Sequence, residues 1–248
     1  MDGGAVPWLL LLALAVVAAI YSSVGHGGAS GYLAVLTLFG FTAAAMRPTA
    51  LTLNLFVAGL AWLAFGRAGH FSWKHLWPFA LASVTASFLG AMLKVPASTY
   101  SGVLALSLAV AALRLSFPPK GAEATHLPGW WITLPIGAAI GVVSGITGVG
   151  GGIYLSPLLL LLRWAPPKTT AAVSAAFIFV NSLSGLAGHW VGGGKYPVSL
   201  LPLVGAAVVG GAVGSQVGAR WFSGLWLRRT LAAVLLIAAY KLIVALLR

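Results

Sequence analysis

The chain contains no cysteine in 248 residues and only two acidic residues, Asp2 and Glu123. Without cysteine there is no disulfide, no thiolate metal site and no thiol nucleophile. Two acids this far apart leave no carboxylate pair for general acid–base work. Neither an enzyme, nor a metal site, nor a bound cofactor is therefore expected. Charged residues of all kinds make up 6% of the chain, against roughly 25% in a soluble domain. A surface that faces water cannot be built from so few charges.

What the chain has in abundance is apolar sequence: 60% of its residues are hydrophobic, with a mean hydropathy of +1.02. Apolar runs fall at 8–24, 32–46, 49–65, 76–94 and 97–115, and again at 130–146, 153–163, 169–190, 199–221 and 225–247. About 20 helical residues cross a hydrocarbon core of about 30 Å, so the fold class is an all-α polytopic membrane protein. The 14 Lys and Arg give a formal charge of +12, but they sit mostly between or at the ends of the runs. That is where a membrane protein keeps its loop charge, and no basic patch is interleaved with aromatics, so nucleic acid is not a partner. The lipid bilayer is. Residues 1–7 carry Asp2 and no Lys or Arg, so the first run lacks the basic flank of a signal peptide and reads as a retained span. Trp8, Trp73, Trp130, Trp164 and Trp190, near run ends, read as an interfacial belt.

The ten runs form two matched sets of five. Gly25-His26-Gly27-Gly28 and Gly148-Val149-Gly150-Gly151 are 123 positions apart, Arg47 and Lys168 are 121 apart, and Ala86 and Gly210 are 124 apart. Offsets that agree this closely at separate landmarks imply an internal duplication: a first repeat at 1–115, a linker at 116–127 holding Pro118, Pro119, Lys120 and Glu123, and a second repeat at 128–248. Each unit crosses the membrane an odd net number of times, so the repeats are inverted in topology. The charges agree. With the 66–75 loop inside, that side holds Arg67, Lys74, Arg114, Lys120, Arg163, Lys168, Arg220, Arg228 and Arg229, while the other keeps Arg47, Lys94, Lys195 and Arg248, with Lys241 set aside as lying within the last run. Nine against four places both termini outside.

The chemistry falls at two glycine-rich breaks. Glycine in a helix interior costs about 1 kcal/mol relative to alanine, so these clusters interrupt the helices and leave a broken hairpin plus three spanning helices per repeat. Irregular backbone at membrane depth survives only inside protein or along a watery cavity. Paired breaks in an inverted repeat meet near the midplane, where N–H groups at the start of a half-helix face an anion. Gly25, His26, Gly27, Gly28, Ser30, Thr147, Gly148, Gly150, Gly151 and Gly152 are the candidate anion-binding residues. Packing alone asks for one small residue per turn, as in Gly210, Gly214 and Gly218 or Ala82, Ala86 and Gly90. His26 is read either as a proton acceptor or donor to an anion, or as a neutral ring bonded to backbone; Val149 stands at its place in the second break.

A second tier of candidates lines the pathway. Arg47 and Lys168, a symmetric pair, either draw anions to the two mouths or are ordinary loop charges. Asn54, Ser174, Asn181 and Gln216 lie within spans and are either pathway groups or bridges between helices. No Asp or Glu lies inside a span, which leaves a carboxylate proton relay, a carboxylate Na⁺ site or a cationic substrate without a counter-charge.

At the glycine breaks the sequence resembles the TauE/SafE sulfite-exporter family, also called the toluenesulfonate uptake permeases. The resemblance rests on the duplicated Gly-x-Gly-Gly element, on Arg47-Pro48-Thr49-Ala50 and Lys168-Thr169-Thr170-Ala171, and on Gly214-Ser215-Gln216-Val217-Gly218-Ala219-Arg220. It covers nearly the whole chain; His26 in the first glycine run and a short linker are departures. The resemblance implies a prokaryotic cytoplasmic-membrane transporter for sulfite, sulfonates and related sulfur anions. The expected function is secondary transport of a small sulfur oxoanion by alternating access, with a homodimer left open. The rival is a membrane scaffold or assembly subunit that transports nothing.

Overall fold

The computed structural model describes residues 6–93, 126–194 and 200–227, with a few positions between 229 and 240. The run at 97–115, most of the linker and most of the last run lie outside the described residues. Every regular element among the described residues is helical: α1 (Trp8–Ser22), α2 (Ala29–Leu38), α3 (Ala43–Arg67), α4 (Trp73–Met92), α5 (Trp130–Thr147), α6 (Gly152–Leu161), α7 (Pro167–Val191) and α8 (Leu201–Arg220). Five of them, α3, α4, α5, α7 and α8, are long and apolar enough to cross a membrane.

The helices after the two breaks are different. α2 and α6 have 10 residues each, about 15 Å, or half the hydrocarbon thickness. The apolar pattern ran the second segment to residue 46, yet α2 stops at Leu38. Gly40 takes φ 76 just beyond it, the left-handed conformation that ends a helix. Pro48, which falls in the gap between the second and third apolar runs, lies within α3, in its second turn.

α3 and α7, 25 residues each, pack together at the centre. α8 lies on α3 and α4 on α7; α1 covers α8, and α5 covers α4. α2 sits beside α3 as α6 sits beside α7. Exchanging α1–α4 for α5–α8 leaves this scheme of neighbours unchanged.

Glycine stripes set the closest approaches. A Cβ on Gly210, Gly214 or Gly218 of α8 would overlap the carbonyl oxygens of Ala15, Ala19 and Ser23 in turn, so α8 and α1 run parallel in backbone contact. In the other half the glycines have changed sides. Gly137, Gly141 and Gly145 of α5 press on the carbonyls of Phe79, Ser83 and Ser87 of α4, and Gly90 meets Val142. In a bilayer, where lipid tails are as apolar as leucine, such van der Waals contact is a main source of helix association.

Arg47 and Lys168 have a structural task. The Arg47 Nη2 donates to the Ala91 carbonyl at 2.9 Å and to the Gly145 carbonyl, and the Lys168 Nζ donates to the Ala219 carbonyl at 3.2 Å. These acceptors lie in the last turns of α4, α5 and α8, where carbonyls lack intrahelical partners and the dipole favours a cation. In the loop between α3 and α4, the His70 pKa is lowered from the ordinary imidazole value, first by desolvation and then by the Lys168 charge.

Leu9, Leu12, Val16 and Ile20 of α1 and Val209 and Val213 of α8 are exposed, an apolar surface suited to lipid chains. Trp8, Trp73, Trp130 and Trp190 are exposed at helix ends, as an interfacial belt requires. Trp164 is instead half-buried, stacked on Phe79 with ring centroids 6.2 Å apart.

Gly214→Leu forces α8 off α1, and overpacking of this kind costs about 1–3 kcal/mol or more. The expected outcome is a clear fall in melting temperature, or loss of a monodisperse peak on fluorescence-detected size exclusion. Gly205→Leu is the control on the same helix: it meets open space and should change neither.

Candidate functional site

Each break carries the chain from the end of one helix to the start of a half-helix, from α1 to α2 and from α5 to α6. After Ser22, the amide of His26 bonds the Tyr21 carbonyl at 2.9 Å, and Gly28 caps α2 with φ 102. After Thr147, Gly148, Gly150 and Gly151 all have φ between 72 and 81, and Gly151 caps α6. Such angles cost any residue with a Cβ about 1–2 kcal/mol. At Gly25 crowding adds to this, because a Cβ there would overlap the Ala171 carbonyl.

Neither half-helix receives a side-chain cap. The first N–H groups of a helix have no partner within it, and together they form the positive end of its dipole. Both half-helices are held within protein. Ala29, Tyr32, Val35 and Leu36 of α2, and Ile153, Leu155, Leu159 and Leu160 of α6, are buried in apolar clusters. This meets the condition under which irregular backbone is tolerated at membrane depth.

Asn54, midway along α3 and fully buried, is where the breaks come together. Its Nδ2 donates to the Val149 carbonyl of the second break at 3.2 Å. Its Oδ1 abuts Gly27 of the first break so closely that a Cβ there would collide with it. The Asn54 Oδ1 has no hydrogen-bond partner. His26 is buried, its Nδ1 donates to the Val24 carbonyl at 3.2 Å, and its Nε2 has no hydrogen-bond partner. The backbone of Gly152, the first residue of α6, lies near that ring.

The sequence candidates thus separate. His26, Gly27, Gly150, Gly152 and Asn54 are brought together, with Gly28 and Gly151 as the caps behind them. Gly25 and Gly148 are wedged against Ala171 and the Arg47 stem. Ser30 pairs with the Tyr21 hydroxyl at 2.9 Å, and Thr147 accepts the Val149 amide at 3.1 Å, so both brace a break from within. Ser174 accepts the Ser156 hydroxyl at 2.6 Å beside the start of α6. Asn181 bridges helices: its Oδ1 accepts from Ser83 at 2.8 Å and its Nδ2 donates to the Phe177 carbonyl at 2.9 Å. Gln216 is exposed on α8, away from the breaks.

One residue was not singled out from sequence. Ser182 is fully buried with an unpartnered Oγ, and a Cβ on Gly150 would lie 3.0 Å from that oxygen. Ser174, Ile178 and Ser182 recur every four residues and so share the face of α7 that meets the second break. Asn181 is turned about 100° from them, toward α4. The four-residue spacing was the available signal, and the more polar neighbour obscured it. No cluster of His, Cys, Asp or Glu suited to a metal occurs among the described residues.

The probable membrane transporter protein y4hK of Sinorhizobium fredii (strain NBRC 101917 / NGR234) is 36% identical over 239 residues, covering 94% of this chain and 97% of that protein. The probable membrane transporter protein ORF9 of a Sinorhizobium species is 26% identical over 85% of this chain and 81% of its own length. A shorter match, 41% identical over 56 residues, is to sulfite exporter TauE/SafE family protein 1 of Arabidopsis thaliana, of which it covers 12%. No solved structure matches the chain. The family model described as sulfite exporter TauE/SafE matches residues 10–242. This chain is a multi-pass membrane protein that belongs to the TauE/SafE sulfite exporter family.

Proposed function

We propose that the protein is a secondary transporter of a small sulfur-containing oxoanion, sulfite or a sulfonate, working by alternating access. The observation that carries this reading is the meeting of two uncapped half-helix N-termini around Asn54, inside protein. Backbone N–H groups near Gly27, Gly28, Gly150 and Gly151 would hold the anion, because they present partial positive charge without a mobile counter-ion. His26 and Asn54 add polar contacts at the same place. No described residue is an Asp or Glu, so nothing acidic in that part of the chain opposes an anion or invites a cation.

The scheme of helix neighbours, unchanged on exchange of α1–α4 with α5–α8, supports a duplicated unit with boundaries at 1–115 and 128–248. Inverted topology, with both termini outside the cytoplasmic membrane, is favoured by the odd number of crossings per unit and the nine-to-four distribution of Lys and Arg. In an inverted pair the two half-helices approach from opposite sides. Rocking one unit against the other would then expose the anion to each side alternately.

The test is flux into proteoliposomes from a panel of sulfite, sulfate, thiosulfate, sulfoacetate and chloride. Saturable flux of a sulfur oxoanion, absent for chloride, is the expected result. Silence across the panel, with no anion raising the melting temperature of well-folded protein, would replace the transporter with the scaffold.

Gly150→Leu should abolish this flux while membrane insertion persists, since even its Cβ would press on Ile178 and crowd Asn54 and Ser182 at the second break. Undiminished transport in that variant would remove the second break from the binding site.

A further inference from the structure

His26 is the one ionisable side chain inside either break, and the backbone that carries it is held on both sides. A Cβ on Gly25, before it, would overlap the Ala171 carbonyl, and a Cβ on Gly27, after it, would collide with Asn54. The side chain itself is 2% exposed. A carbonyl can only accept, so the 3.2 Å bond to Val24 places the ring hydrogen on Nδ1. In a neutral imidazole the other nitrogen is then a bare acceptor. That nitrogen, Nε2, has no hydrogen-bond partner, although the backbone of Gly152 at the start of α6 lies near the ring.

A lone pair is the wrong group to offer an anion. Between two uncapped half-helix N-termini, an acceptor repels the oxygen that the backbone N–H groups attract. Protonation reverses this. Nε2 becomes a donor, its bond to an oxyanion is charge-assisted, and ring and monoanion enter the interior as a neutral pair. A lone buried charge is far more costly than a paired and hydrogen-bonded one, so proton and anion each lower the cost of burying the other.

The neighbouring ionisable groups leave this role to His26. The Tyr21 hydroxyl is paired with Ser30, and that of Tyr32 lies against Gly28. Arg47 of α3 packs its stem on Gly148 and donates to the Ala91 and Gly145 carbonyls, while Lys168 of α7 donates to that of Ala219. Arg220 is exposed at the end of α8, and Tyr154 is half-buried on α6. Arg67 and His189 stand at the far ends of α3 and α7, about 20 Å along the axis from Asn54 and about 27 Å from Ala171. None of these groups is a partner of Nε2, and no acid occurs among the described residues. The second break carries no equivalent, because Val149, Ser144 and Leu155 stand 123 positions after His26, Tyr21 and Tyr32.

We propose that His26 is the proton-coupling residue. Its ring binds the anion only when Nε2 is protonated, so each singly charged oxoanion enters with one proton taken from the water on the same side, and both leave together. This rests on the transport reading above and supplies its coupling ion. The pair carries no net charge, so a pH gradient drives it and the membrane potential does not.

The probe is methanesulfonate, which does not itself titrate near neutrality. Calorimetry on the purified full-length protein, in two buffers of different ionisation heat, counts the protons taken up as it binds. The expected uptake is about one proton per anion at pH 6, with binding about tenfold weaker at pH 7, as one linked proton requires. His26→Gln keeps a donor that cannot titrate; it should bind with no proton uptake and with equal affinity at the two pH values. His126→Gln, at an exposed position before α5, should match the wild type. Binding without proton uptake in the wild type, or uptake retained in His26→Gln, would overturn the proposal, and the wild-type count decides alone if His26→Gln does not fold. If methanesulfonate does not bind while sulfite still crosses proteoliposomes, the coupling assigned to His26 falls and the transport reading stands. If binding and flux are both absent, the two fall together.

Discussion

Every N–H and C=O group that enters a bilayer must find a partner inside the protein, and the structure is arranged around the two places where the helices fail to supply one. The breaks at residues 23–28 and 148–151 leave peptide groups outside any helix. Such a strand cannot face lipid. It is enclosed by the two longest helices, α3 and α7, and its loose ends are taken up by Asn54, Thr147 and the Tyr21 carbonyl. The half-helices that follow are too short to span, so their N-termini open into the interior. On the transport reading proposed above, the first N–H groups of these half-helices are the donors that hold the anion.

Holding those half-helices in place demands close packing around them, and glycine supplies it twice in different ways. In the α1–α8 pair the stripe is on α8; in the α4–α5 pair it is on α5. Both arrangements bring two parallel helices to backbone contact, so what is repeated is the distance between axes and not the position of the small residue. Arg47 and Lys168 then tie helix ends to the two central helices. A cation used in this way steadies the carbonyls at a helix C-terminus.

Much of this was legible in the sequence because it follows from hydropathy and from glycine's cost in a helix. The scarcity of charge required a membrane protein, and the apolar runs located the long helices to within a few residues. The two Gly-x-Gly-Gly elements identified the breaks, and the TauE/SafE resemblance they carry is matched by the family to which the chain belongs. The boundary between α2 and α3 was misplaced because the apolar run continues through Gly40 to Met46, and hydropathy does not register a left-handed glycine. Proline in an early turn of a long helix removes a single bond, whereas glycine in the left-handed region ends the helix outright.

Sequence by itself thus determined that the chain is helical, that it is membrane-embedded and where its helices break, since these depend on composition and local backbone preference. Tertiary structure alone decided which polar residues face one another. Asn181 and Ser182 are adjacent in the chain, yet one is spent bridging to α4 while the other is turned toward Gly150 with its hydroxyl unpartnered. A step of about 100° around a helix separates those fates, and only the neighbouring helices fix which direction is inward. The same holds for Asn54. Its place between the two breaks, bonded to a Val149 carbonyl 95 residues away in the chain, comes from the packing of α3 against both halves, which no local signal records.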